Sequence, residues 1–158
     1  MDLLDVNWQP QVEALASVVI AAILGGIVGM EREMAERPAG LRTHAILAAA
    51  SCLLVRLGDT LVEAFATDSI SQALQADPIR IVEAIVTGVA FLGAGTIFRD
   101  RKRAAVEGLT TAASLLLVSA IGVAVALKQL VLAGAVTVLT LILLRTVRRL
   151  YRSPRKDH

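Results

Sequence analysis

Seven ionisable side chains crowd into residues 31–44: Glu31, Arg32, Glu33, Glu36, Arg37, Arg42 and His44. The seventeen residues before them, 14–30, carry none. Carboxylates and guanidiniums this close can pair with one another, and carboxylate oxygens can serve a hard cation such as magnesium, which keeps most of its waters and takes one or two carboxylates. The expectation is a polar cluster of Glu31, Glu33, Arg42 and Arg99, with Arg32, Thr43 and His44 beside it. The alternative is that these charges are solvated and only set orientation. A second candidate is Glu83, with Arg80 at i−3 and Thr87 at i+4. It reads either as a functional acid inside a membrane span or as half of an ion pair near the surface. A third is Thr110, Thr111 and Ser114, hydroxyls that can cross-link helices or bond their own backbone.

Catalytic chemistry has little to stand on. There is no nucleophile elbow, phosphate loop, paired-cysteine metal site or HExxH. His44 and the terminal His158 are the only histidines, and Cys52 is the only cysteine. Cys52 lies in an apolar run, where packing is its expected role. The chain is therefore not expected to be an enzyme or to carry a cofactor, and no metal ligand is assigned.

The elements that must position these groups are apolar. The 158 residues are 56% hydrophobic with a mean hydropathy of +0.68, too apolar for a soluble domain of this length. The expected architecture is all-α: a single polytopic membrane domain of about five spans, near residues 12–30, 41–57, 79–98, 109–127 and 130–147. Trp8 suits a membrane interface and Pro10 a helix start. The acidic N-terminus and long first apolar run read as a retained anchor, not a signal peptide. Gly25 and Gly29 form a GxxxG pair, and Gly88, Gly93 and Gly95 mark the third span as another close-approach helix. Residues 58–77 read as an outer loop, with Leu61, Phe65, Ile70 and Leu74 lying on the surface. Asp77 and Pro78 read as an N-cap and a first helical position.

The second span is the short one: its clean apolar run, residues 45–55, is only eleven long. Charge parity argues that it crosses. If it does, Arg32, Arg37 and Arg42, the run 99–103 and the tail 145–156 share one side, which then holds thirteen of the sixteen Lys/Arg. The positive-inside rule makes that side cytoplasmic. The N-terminus is then outside and the C-terminus inside. The basic tail is a topology flank, not a nucleic-acid arm.

Two blocks resemble the MgtC/SapB family of bacterial inner-membrane proteins. One is Gly26-Ile27-Val28-Gly29-Met30-Glu31-Arg32-Glu33 followed by Pro38-Ala39-Gly40-Leu41-Arg42-Thr43-His44. The other runs from Ile85-Val86-Thr87-Gly88 through Gly93-Ala94-Gly95 to Arg99, then Gly108-Leu109-Thr110-Thr111-Ala112-Ala113-Ser114. With Ala120-Ile121-Gly122 they cover most of residues 22–125. The resemblance implies a bacterial plasma-membrane location and a link to growth at low magnesium. For some relatives it implies a virulence role and action on the F-type ATP synthase. It does not by itself imply transport, and it carries over no catalytic or metal residue. Some relatives add a soluble C-terminal domain; here the chain stops at His158, so regulation through one is not expected. Leu116 stands where the family commonly has Trp, and Glu107 where it commonly has a basic residue.

Three readings follow. In the first, a membrane protein in the lipid bilayer aids adaptation to low magnesium or acid stress by binding another membrane protein. In the second, an oligomeric transporter moves Mg2+ or another ion using Glu83 and the inner acids. In the third, an accessory subunit carries charges that only set topology.

Overall fold

Pro10 lies in the first turn of α1 (Gln9–Met34) and Pro78 opens α3 (Pro78–Thr96), positions where the missing N–H has no helical partner to lose. Between them runs α2 (Leu41–Ala66); α4 (Leu109–Ala126) and α5 (Leu130–Tyr151) follow. The computed structural model describes residues 8–66, 78–100 and 105–151. Four helices are long and apolar enough to cross a membrane, and the apolar part of the fifth, Leu130–Thr146, is shorter. Its 17 residues make roughly 25 Å of helix, at the lower limit for a bilayer.

Several boundaries differ from expectation. The second span has no weak centre: Leu41–Val62 gives 22 residues of apolar helix, about 33 Å at 1.5 Å per residue. Residues 58–66, expected as loop, continue α2 because no proline intervenes and Gly58 packs against Ile81 of α3. The rest of that expected loop, 67–77, lies outside the described residues. The third span stops at Thr96 instead of 98, where Thr96 Oγ1 donates to the Gly93 carbonyl and the Ile97 N–H to Ala94. The all-α expectation also missed two three-residue strands, β1 (Phe98–Asp100) and β2 (Ala105–Glu107), which pair antiparallel with Arg99 opposite Val106. Gly108, at φ +92°, then turns the chain into α4, a conformation that favours glycine.

The residue distribution is that of a protein solvated by lipid. Large apolar side chains face out, among them Phe91 at 80% and Val131 at 89% exposure, while Glu31, Arg32, His44, Ser51, Thr111, Ser114 and Ser119 are buried. Lipid tails are as apolar as leucine, so polar groups retreat inward to find partners. The core lies among α1, α2 and α4, around Ala21, Val28, Ala48, Cys52, Leu115, Val118 and Ile121. α3 leans on α4 where Gly93 meets Ala112. The C-terminal end of α1, the N-terminal ends of α2 and α4 and the C-terminal end of α3 thus gather at one end of the bundle. Exposed Glu13 and Lys128, 4.0 Å apart, mark the other.

Both tight turns close the same way. After α1, the Glu36 N–H donates to the Glu33 carbonyl and the Arg37 N–H to Arg32; after α4, Lys128 donates to Val125 and Gln129 to Ala124. These are Schellman closures, yet the left-handed position holds Glu36 (φ 55°) and Lys128 (φ 60°) instead of glycine. Replacing either by glycine removes a steric cost of roughly 1 kcal/mol. Glu36→Gly and Lys128→Gly should each raise unfolding free energy by about 0.5–1 kcal/mol in a detergent denaturation series, after the extra chain entropy of glycine is offset. A loss of stability in both would contradict the assigned turns.

Candidate functional site

The inner surface of α1 is bare backbone where it meets α2. A Cβ on Gly25 would sit 2.6 Å from the His44 carbonyl oxygen and 2.7 Å from Ala48 Cβ; one on Gly29 would sit 2.7 Å from the Gly40 carbonyl oxygen and 2.8 Å from Leu41 Cα. On another side of α2, Gly122 of α4 presses on the Ala48 backbone. The segment from His44 to Ala48 is clasped between two glycine faces, the geometry by which small residues let membrane helices approach.

That approach puts His44, fully buried, between α1 and α4. Its Nδ1 donates to the Gly40 carbonyl at 2.9 Å; a carbonyl only accepts, so Nδ1 carries a proton. Its Nε2 lies 3.0 Å from Ser114 Oγ, whose hydroxyl also reaches the Thr111 carbonyl at 2.8 Å. One hydroxyl proton serves one acceptor at a time. With a neutral ring Ser114 donates to Nε2; with a charged ring Nε2–H donates to Ser114, which then donates to Thr111. Two turns along, Ser51 and Ser119 join α2 to α4 at 2.8 Å.

Glu31 and Arg32 are neighbours in sequence and both turn inward, at 2% and 4% exposure. Arg32 Nε donates to Glu31 Oε2 at 2.8 Å. The other oxygen, Oε1, is buried with no hydrogen-bond partner among the described residues. Removing charges from water costs several kcal/mol per ion, which only good pairing offsets. Half of this carboxylate is paired and half is not, and such an atom is a reason to look for function.

Glu33 has a different task. It is exposed, and its Oε2 accepts from the Leu41 N–H at 2.9 Å, capping α2. An acid at the end of α1 is unfavourable, but at the start of α2 it is favourable. Its carboxylate also fills the space a side chain on Gly40 would take.

The structure thus brings together Glu31 with Arg32, and His44 with Ser114 and Thr111. It leaves Arg42, Thr43 and Thr110 exposed, so Arg32 is the cation that neutralises Glu31. The side chain of Arg99 is outside the described residues. Glu83 is exposed; among the described residues it forms no ion pair with Arg80, and Thr87 donates to its backbone carbonyl, not its carboxylate. Gly25, Gly29 and Gly93 make close contacts within the chain, whereas nothing lies within 4 Å of a Cβ on Gly88 or Gly95. Sequence reasoning missed Gly122, Ser51 and Ser119. The signal was spacing: Ser51 is seven residues from His44 and Gly122 eight from Ser114, each about two turns along one face. Among the described residues no three His, Cys, Asp or Glu side chains are grouped to hold a metal.

The MgtC family model matches residues 18–153, and the chain belongs to that family. It is 34% identical over 130 residues to an uncharacterised protein of Haemophilus influenzae, covering 82% of this chain and 53% of the relative. It is 34% identical over 139 residues to the Escherichia coli K12 protein named "Putative magnesium transporter YhiD", covering 87% of this chain and 62% of that one. It is 36% identical over 116 residues to Protein MgtC of Brucella abortus, covering 73% of this chain and 43% of that one. The chain spans about half the length of the curated relatives it matches. No solved structure matches it.

The buried pair should behave as a unit. Arg32→Gln leaves the Glu31 carboxylate uncompensated and should destabilise the protein by about 3 kcal/mol or more. Adding Glu31→Gln should recover most of that loss. Additive losses in this double-mutant cycle, read by denaturation in detergent, would show that the two charges do not depend on each other.

Proposed function

We propose that the chain serves magnesium homeostasis in the bacterial inner membrane, with its N-terminus outside and its C-terminus in the cytoplasm, by engaging another membrane protein and not by conducting the ion itself. One observation carries this reading. The buried ionisable groups Glu31, Arg32 and His44 sit at one end of the bundle, while beyond them the interior holds Ala21, Cys52, Val118 and Ile121 and, among the described residues, the buried hydroxyls of Ser51, Ser119, Thr137 and Thr140, which are engaged with one another or with their own helices. A single chain packed this way offers a cation no run of oxygen ligands from end to end. It offers a rigid polar seat near the membrane surface, suited to positioning a partner. The arginines at that end support the cytoplasmic assignment. The family and the name of the E. coli relative support the magnesium connection. The motif inventory supports a role other than catalysis. The F-type ATP synthase, implied by the family resemblance, is the first partner to test, and a second copy of this chain the next.

Transport is the second reading, favoured by one atom: Glu31 Oε1, buried and unpartnered among the described residues. A carboxylate oxygen in that state could take a hydrated cation if oligomerisation opened a path.

A deletion strain carrying wild-type protein should regain growth at limiting magnesium. Glu31→Ala and His44→Ala should not restore it, despite normal membrane insertion. Protein reconstituted in liposomes should give no magnesium flux above empty vesicles. Flux abolished by Glu31→Gln would establish the transport reading, and full rescue by both variants would reduce the cluster to packing.

A further inference from the structure

We propose that the groove between α2 and α3 is a lipid site that takes one acyl chain of an anionic phospholipid, with the headgroup phosphate held by Arg80. The groove has a volume of about 480 Å³ and is lined by Leu47, Ser51 and Leu54 of α2 and Ile85, Gly88 and Leu92 of α3, among others, with Arg80 at one end. It exists because α3 touches α2 where Ile81 packs on Gly58 and then leans toward α4, where Gly93 meets Ala112. Between those two contacts the helices separate. Gly88, with nothing within 4 Å of its missing Cβ, leaves the gap unfilled.

Shape selects the occupant. From Ile81 to Leu92 the groove follows about 16 Å of helix axis, which matches the reach of one acyl chain within one leaflet, half of a hydrocarbon core about 30 Å thick. One hydrocarbon chain fits. Chemistry selects the same occupant. The lining is apolar except for Ser51 and Arg80, and the Ser51 hydroxyl is occupied by the Leu47 carbonyl and Ser119. Apart from Arg80 at its end, the described wall leaves no polar group for a guest. α2 and α3 are both membrane-spanning in length and hydropathy, so the groove opens at hydrocarbon depth. Arg80, two residues into α3, stands at headgroup depth. Among the described residues no acid lines the groove, Glu83 lying outside it, and none forms an ion pair with Arg80. A guanidinium so placed meets a phosphate in fork geometry and favours a headgroup with net negative charge.

The test is native mass spectrometry of protein released from bilayers holding equal amounts of phosphatidylglycerol and phosphatidylcholine. Wild type should carry one bound phospholipid with about fivefold preference for phosphatidylglycerol, the ratio one cation contributes near an anionic surface. Arg80→Gln, an exposed substitution, should bring the preference to parity. Gly88→Leu fills open space, should keep the helical circular dichroism spectrum of wild type, and should lower retention of either lipid at least tenfold. The proposal is overturned if wild type retains no phospholipid, if Gly88→Leu retains as much as wild type, or if Arg80→Gln keeps the preference. Efficient dimer cross-linking through Gly88→Cys in bilayers, with fully buried Cys52 unreactive, would overturn it in favour of a second copy of the chain.

Discussion

The arrangement depends on how closely three helices approach around the backbone from His44 to Ala48. Gly25 and Gly29 on α1 and Gly122 on α4 leave no room for a methyl group against that segment. In a bilayer the hydrophobic effect gives helices no reason to prefer each other over lipid, so shape and hydrogen bonds must supply it. The glycines supply the shape. The His44–Ser114 and Ser51–Ser119 bonds, both near 3 Å, supply the polar link between α2 and α4. Neither is sufficient alone: without the close approach the side chains do not reach, and without the bonds bare glycine faces bury little area.

The same approach creates the molecule's most costly feature. Glu31 and Arg32 lie under the clasp and are excluded from solvent. A buried pair adds little net stability and is lost expensively when one partner goes. A sequence that needed only an anchored helix end could leave both charges outside, as it leaves Glu33, Arg42 and Arg37. That burial is why the proposed site is placed at this end of the bundle, and on that proposal the Glu31 oxygen with no partner among the described residues is where a partner or ion gains most by arriving.

Much of the fold was legible because hydropathy, proline and glycine act locally. Pro10 and Pro78 stand at helix starts and the GxxxG pair faces a neighbouring helix, as their chemistry requires. The second span was harder. Arg42 and Arg56 interrupt its apolar run, yet Arg42 is exposed at one end and the helix continues past Gly58 to Ala66. The paired strands were invisible because three residues per strand carry no period. Within the site, spacing showed that Thr111 and Ser114 belong together but not which helix they meet. It grouped Glu33 with Glu31, although adjacent turns send one to cap α2 and the other inside. Which of several charges near a helix end turns inward is decided by the neighbouring backbone, and only the assembled bundle supplies that.

The central claim is that packing, not solvent, sets the state of His44. The chain has two histidines, so nitrogen-15 spectra of the imidazoles in bilayers separate them readily. The ring of His44 should show a proton on Nδ1 that exchanges slowly with water, and Gly29→Leu should turn it into a freely exchanging ring. A proton on Nε2 alone, or rapid exchange already in the wild-type protein, would contradict the clasp and the buried site built on it.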